Sequence, residues 1–324
     1  DDSVCSIKIT LYRMASHSQI VEALCDAAEN GKEVLALVEL RARFDEASNI
    51  EMSRRLEDAG CQVIYGLPSY KVHSKLCLVT RQTAEGVHFL TQIGTGNYNE
   101  KTATLYTDLS LITANQNIGR DAQEVFRTLL LGETVEQSTD LLIAPRGLQE
   151  AILEKIRKEG RKAEEGRGGY IGLKLNALTD KDIIDALIEA SEKGAVIQLL
   201  IRGICCLIPG IPGKTDHITV HSVVGRYLEH SRIYRFGQGD AEEIYIASAD
   251  FMTRNTLRRV EVAAPIYDEE NRNRVREIFD LGFRDTEKGK VLLADGLYHD
   301  PENPGDERFD SQDFFYREAY KSVE

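Results

Sequence analysis

With 324 residues the chain is long enough for two domains of ordinary size, each with its own core, and its 42% hydrophobic and 29% charged residues are those of a soluble globular protein. A formal net charge of −13 argues against nucleic-acid binding through a broad basic surface, though not against an anionic ligand held locally. No apolar run reaches the roughly 20 residues that a membrane helix needs, no signal peptide is expected, and the six scattered cysteines form no CxxC pair, so reduced thiols in the cytosol are expected rather than a disulfide or zinc framework.

In chain order, residues 6–12 alternate as a strand with Arg13 at its carboxyl end. Residues 18–30 carry helical periodicity (Ile20, Val21, Leu24, Ala27, Ala28) and close at Gly31, a usual helix terminator. Residues 34–40 are a continuous apolar strand of the kind helices bury on both faces, and Arg41 and Arg43 follow it. A second helix over 50–59 ends at Gly60, and the apolar run 64–79 encloses Val72-His73-Ser74-Lys75-Leu76. Read as a strand, that run puts His73 and Lys75 on one face, an imidazole beside a fixed positive charge. A hairpin over 76–93 returns to Gly94-Thr95-Gly96-Asn97, and the tract 101–112 carries Tyr106 and Asp108. A linker over 132–139 divides domain 1–140 from domain 141–324. The second domain opens with a strand over 141–144, then has a charged helix over 148–165 and a strand over 170–176. The order is that of an α/β protein, whose ligands bind beyond the carboxyl ends of strands.

The arrangement recurs once. His230-Ser231-Arg232 repeats His73-Ser74-Lys75, and Ala247-Ser248-Ala249-Asp250 answers Gly94-Thr95-Gly96-Asn97. Asp108 lies 11 residues after Asn97 and Glu261 lies 11 after Asp250, so the two acids answer each other. The helix at 183–194 repeats that at 20–31 with an offset of 163 (183 − 20), which sets Asn176 at the place of Arg13, and Arg202 ends the strand that follows. The same offset places the first copy's equivalent of 141–165 before the start of the chain, and with the opening Asp1-Asp2-Ser3 this reads as a chain beginning inside a longer protein. Two copies, each bringing a histidine and a cation, suggest one site between them.

These residue types suit phosphoryl transfer. A histidine that attacks phosphorus needs one nitrogen unprotonated, and a carboxylate on the other N–H would fix that tautomer; Asp108 is the expected partner of His73 and Glu261 that of His230. Cations around the phosphate neutralise the charge of a loose transition state, and Arg13, Arg43, Lys75 and Arg202 are the candidates. Lys101 and Arg254 match at the repeat offset and are read equally as phosphate contacts or solvated charges, while Asn97 and Asp250 could be turn residues.

A pair of domains each with H-x-K/R, a small-residue loop bearing Asn or Asp, and then an acid resembles the phospholipase D superfamily. Within it, Thr10-Leu11-Tyr12-Arg13, the run from Val38 to Glu46, the run from Gly94 to Ala103 and Arg226-Tyr227-Leu228-Glu229-His230 resemble the bacterial polyphosphate kinase family of the first type. The likeness extends to about residue 290, and the acidic tail 291–324 carries no recognisable match. Phospholipase-type motifs usually bear Asp five residues after the Lys, where this chain has Thr80 and Gly237. The resemblance implies two tandem phospholipase D-like domains, each a mixed sheet flanked by helices. It implies an ATP:polyphosphate phosphotransferase working reversibly through phosphorylated His73, with ATP contacts at Tyr106, Arg202 and His230. His230, oriented by Glu261, would act as acid–base or charge partner. Arg13 and Arg43 match the family's phosphate and Mg²⁺ region; because arginine has no lone pair for a metal, both are read as clamps on phosphate oxygens. It further implies Mg²⁺, a cytoplasmic protein that can lie peripheral to the inner membrane, and a homo-oligomer at full length. A phospholipase D-type phosphodiesterase and a non-catalytic polyphosphate-binding fragment are the alternatives.

Overall fold

The computed structural model describes residues 1–15, 17–39, 46–302 and 308–321. Arg41 and Arg43 lie outside the described residues. The chain packs into two compact units: Asp1–Gln149 with Ala247–Ala249 and Arg254–Ala264, and Glu150–Ile246 with Asp250–Thr253 and Pro265–Glu324. Residues 141–149 and the segments around Ser248 and Glu261, which the sequence places in the second domain, thus pack within the first unit.

The first unit is a mixed sheet flanked by helices. Strand Val4–Leu11 pairs parallel with Glu33–Val38, which pairs parallel with Gln62–Tyr65. On its other side Val4–Leu11 pairs antiparallel with Lys75–Thr83, followed by Gly86–Gly94 and Ser110–Thr113. The connecting helix Gln19–Glu29 starts at Ser18, whose hydroxyl accepts from the Val21 N–H, and stops before Gly31 at φ 79°. Gly60, at φ 91°, does the same after helix Glu46–Asp58. The sequence expectation leaves out helix Gln116–Leu130, whose Ile118, Ala122, Val125, Phe126 and Leu129 lie in one core with Leu76, Leu78 and Ile93. Periods of three and four along that helix carry its apolar stripe. Within the same unit, strand Arg259–Pro265 pairs parallel with Lys71–Val72 and antiparallel with Leu142–Ala144.

In the second unit Tyr170–Leu175, helix Lys181–Glu192 and Val196–Ile201 repeat the β-α-β start of the first, with Asp180 capping the helix. Ile218–Val223 extends the sheet in parallel and Arg232–Phe236 pairs antiparallel with Tyr170–Leu175. The tail, expected to be unmatched, is part of this unit: Gly289–Leu292 pairs with Ile218–Val223, Tyr298–His299 with Gly289–Leu292, and helix Ser311–Lys321 closes the described chain. Among the described residues no helix is long and apolar enough to cross a membrane.

Candidate active site

His73 stands at a break between strands, which corrects the expectation of a single strand carrying His73 and Lys75 side by side. After Lys71–Val72, the backbone N–H groups of His73 and Ser74 both donate to the Val260 carbonyl at 3.0 Å, and Lys75 then opens the long strand. The Lys75 ammonium, on a residue only 1% exposed, turns back to donate to the carbonyl of His73 and lies 5.3 Å from the Tyr12 ring centroid. Tyr12 meets the imidazole edge-on, with centroids 4.8 Å apart and planes at 81°. The Arg13 guanidinium carbon lies 5.9 Å from the Tyr12 ring centroid. Buried Asn49 grips the backbone on either side of Arg13: it accepts from the Met14 N–H at 3.2 Å and donates to the Tyr12 carbonyl at 3.0 Å and the Glu39 carbonyl at 2.9 Å.

The acid facing His73 is Glu261. His73 Nδ1 lies 2.9 Å from Oε1 and 3.0 Å from Oε2 of this fully buried carboxylate. Asn255 Nδ2 donates to Oε1 at 2.7 Å and the Ser248 hydroxyl donates to Oε2. The expected pairings of Asp108 with His73 and of Glu261 with His230 are therefore corrected. Asp108 instead accepts from the Thr95 hydroxyl at 2.6 Å, and Gly96 is small because a Cβ there would fall 2.1 Å from Asp108 Oδ2. Each acid is held by a hydroxyl thirteen residues before it, Thr95 for Asp108 and Ser248 for Glu261, a signal present in the sequence but not used. The physical reason for the exchange is strand pairing: Val260 joins Val72, and that register brings Glu261 to the break at His73.

Burial pulls the His73 imidazole down to about 3, opposed by the Glu261 carboxylate and assisted by Lys75. Burial alone would raise the Glu261 carboxyl, but the facing His73, then Lys75 and the Ser248 hydroxyl, hold it below its ordinary value. At neutral pH the pair is thus a neutral imidazole and an ionised carboxylate. An ionised carboxylate only accepts, so the proton sits on Nδ1 and the lone pair on Nε2, the state of a nucleophile. For a base with a depressed pKa, the unfolded state binds the proton first, so this pair's stability is present above the ordinary imidazole value and is lost as pH falls below it. In histidine-labelled protein the His73 signals, assigned by their loss in His73→Gln, are expected to show the Nδ1–H tautomer and to stay unprotonated from pH 8 to pH 5. A titration midpoint near the ordinary value of 6.5 would refute this.

The second unit builds a different constellation. The Arg232 guanidinium pairs with Asp250 at 2.9 Å and places Nη1 3.1 Å from His230 Nε2 and 2.9 Å from the His230 carbonyl. Asp250 also accepts from the Asn176 and Ala177 N–H groups at 2.7 and 3.3 Å, so it is more than a turn residue. Asn176, at the position of Arg13, accepts from Arg202 Nε and Nη2 at 2.9 and 2.7 Å and donates to the His230 carbonyl at 3.2 Å. Lys174, 3% exposed, bonds the Ser231 hydroxyl at 2.7 Å and the Glu229 carboxylate at 2.9 Å. Lys174 lies outside the repeated motifs, and Glu229, though it stands in the Arg226–His230 run, carries no mark in the sequence of its pairing with Lys174. Tyr106, half-buried in the short strand Tyr106–Thr107, belongs to the first unit; Arg202 and His230 belong to the second.

Two mixed α/β sheets carrying H-x-K and H-x-R at matching strand starts define a chain of phospholipase D-like domains. The fold is that of phosphatidylserine synthase from Haemophilus influenzae Rd KW20, with TM-score 0.63 at 11% identity over 99% of this chain and 89% of that one. The narrower assignment follows from sequence. The model for polyphosphate kinase C-terminal domain 1 matches residues 1–135 and that for C-terminal domain 2 matches 141–312, so the chain belongs to the polyphosphate kinase family. It is 46% identical to the polyphosphate kinase of Staphylococcus epidermidis over 321 residues, 99% of this chain and 44% of the relative, and 45% identical to that of Lactiplantibacillus plantarum over 323 residues, 100% and 45%. The solved polyphosphate kinase of Porphyromonas gingivalis aligns with TM-score 0.90 at 37% identity, covering 99% of this chain and 49% of that one. The chain spans less than half the length of these relatives. Their alignments run through the tail that sequence reading left unmatched.

Proposed function

We propose that this chain carries the phosphoryl-transfer centre of a polyphosphate kinase, moving the terminal phosphate of ATP reversibly to inorganic polyphosphate through phosphorylated His73. The observation that carries the reading is the Nδ1–H of His73 held on the buried Glu261 carboxylate, which leaves Nε2 to attack. In the forward step Nε2 bonds the γ-phosphorus as its bond to the ADP oxygen breaks; the proton stays on Nδ1 and ADP leaves with the electron pair. A terminal oxygen of the acceptor chain then attacks the same phosphorus and Nε2 recovers its lone pair. Lys75 and Arg13, joined through Tyr12 beside the imidazole, are the cations expected to neutralise the transferring group. Arg43, Tyr106, Arg202 and His230 complete the reading as phosphate and nucleotide contacts, by the family likeness.

Among the described residues no group of three or more His, Cys, Asp or Glu is placed to hold a metal ion. By the family likeness, magnesium enters this reading as the counter-ion of the ATP phosphates, part of the substrate, with Arg13 gripping oxygens beside it. Incubation with γ-labelled ATP and Mg²⁺ is expected to put acid-labile, base-stable label on the wild-type chain and none on His73→Ala. Label on both would place the nucleophile elsewhere. Label passing to water in preference to added polyphosphate would favour the phosphodiesterase alternative, and bound ATP or polyphosphate without label on either would favour the binding-fragment alternative.

A further inference from the structure

The tail helix carries a side chain that reaches the segment holding His230. Gln312 is 6% exposed, and its amide is fully engaged with that segment. Oε1 accepts from the Tyr227 N–H at 2.9 Å, while Nε2 donates to the Tyr227 carbonyl at 2.9 Å and to Glu229 Oε1 at 2.7 Å. Glu229 passes the connection on: its other carboxylate oxygen pairs with Lys174 at 2.9 Å, and Lys174 bonds the Ser231 hydroxyl at 2.7 Å. The peptide on both sides of His230 is therefore tied into one network that begins at Gln312. Gly225 leaves the amide its room, since a Cβ there would fall 2.5 Å from Gln312 Oε1.

The helix delivering Gln312 is itself anchored. Ser311 donates its N–H and hydroxyl to Asp285 Oδ2 at 2.7 and 2.6 Å, and Asp285 Oδ1 accepts from the N–H groups of Lys288 and Gly289 at 2.7 and 3.0 Å. One turn along the helix Tyr316 faces the Arg226 guanidinium at 5.0 Å, and Tyr227, next to Arg226 in the chain, faces the same guanidinium at 5.2 Å. The grip falls on Arg226, Tyr227 and Glu229, the residues leading directly into His230.

We propose that Gln312 is a positioning residue for His230. It touches no reacting atom in this arrangement; it fixes the path of residues 225–229 and, through Glu229 and Lys174, the height of His230 above the strand end. The catalytic consequence rests on the reading of His230 as a participant in transfer, and the geometric claim does not. A misplacement of about 1 Å at a reacting group can cost roughly 10²-fold in rate. Loss of the amide is accordingly expected to slow transfer by about 10- to 100-fold with little change in fold.

The test compares Gln312→Met, which keeps the volume and removes all three hydrogen bonds, with Gln312→Glu, which keeps the acceptor for the Tyr227 N–H and sets a like charge against Glu229. The first readout is the imidazole resonance of His230, assigned through its loss in His230→Asn, with His221 as internal reference because it is stacked on Phe283 at 4.0 Å in the same unit. Both variants are expected to shift or broaden the His230 signal and leave that of His221 in place. The second is the rate of label transfer from ATP through the protein to polyphosphate, expected to fall in urea-free buffer, where the unfolding curve shows each variant still folded. An unchanged His230 signal in both variants overturns the proposal. A moved signal with an unchanged transfer rate also overturns it, reducing Gln312 to a structural tie. If Gln312→Met loses the His221 signal as well, it has unfolded, and Gln312→Glu decides. A wild-type chain that takes no label, with the His230 signal still moving on substitution, refutes the proposed reaction and leaves the positioning intact.

Discussion

Replacing Glu261 with glutamine is expected to slow phosphorylation of His73 on the order of 10³- to 10⁴-fold, the upper end being the cost of the same change behind a catalytic histidine elsewhere, and equivalent to about 4–5.5 kcal/mol of barrier. Among the described residues every hydrogen-bond partner of this carboxylate is a donor: His73 Nδ1 at 2.9 Å, Asn255 Nδ2 at 2.7 Å and the Ser248 hydroxyl. A glutamine supplies one accepting oxygen and one donating nitrogen to the same place. Nδ1 of His73 stands within 3.0 Å of both carboxylate oxygens, so in either orientation of the amide it faces one accepting oxygen and one donating nitrogen, and the nitrogen also meets the Asn255 or the Ser248 donor. Either way His73 loses its ionised partner, and selection of the tautomer with a free lone pair on Nε2 is weakened. The volume is unchanged and the site fully buried, so packing contributes little to the effect. The check is the initial rate of label uptake from ATP, read beside the His73 tautomer. A variant labelling within about tenfold of the wild type, or keeping the Nδ1–H tautomer at full strength, would remove the carboxylate from the mechanism.

The two α/β halves were legible because their signals are local. Helix Gln19–Glu29 is bounded by a capping serine and a positive-φ glycine, and strand Val196–Ile201 stops immediately before Arg202, where the repeat ends it. The repeat was legible for the same reason, since H-x-K and H-x-R each precede a strand that pairs beside the first strand of its own half. What failed was any statement about partners. Asp108 and Glu261 stand at equal spacing and are chemically alike, so sequence order favours pairing each with the histidine of its own copy. The choice is made by the register of Val260 against Val72, a contact across 188 residues. Gln312 was invisible on the same grounds: one amide in an acidic tail, with partners 85 and 83 residues earlier, makes no motif. Asp250 was half legible, because a small-residue loop ending in an acid reads equally as a turn.

Asp250→Ala is expected to destabilise the second unit by about 3–5 kcal/mol, the usual cost of removing one member of a buried ion pair. Arg232, 3% exposed, would lose the carboxylate it pairs with at 2.9 Å, and the N–H groups of Asn176 and Ala177 would lose their acceptor. Burial pushes the Asp250 carboxyl up, but the Arg232 guanidinium more than offsets this and holds it at about 2. An acid with a depressed pKa contributes stability above its unfolded value, near 3.9 for aspartate, and loses it as pH falls through the folded value. The wild type should therefore lose this contribution between about pH 4 and pH 2, a loss absent from Asp250→Ala. Asp250→Asn keeps an acceptor for the two backbone groups and should fall between the two. Asp250→Ala with Arg232→Met removes the buried guanidinium as well and should regain part of the loss, because a buried pair replaced by apolar side chains costs far less than a broken one. Urea unfolding of the four proteins, followed by a signal from the second unit, decides the matter. If the double variant were no more stable than Asp250→Ala, the penalty would lie in the unpaired backbone at Asn176 and Ala177, and the role of Asp250 would be to shape the loop beside His230 rather than to neutralise Arg232.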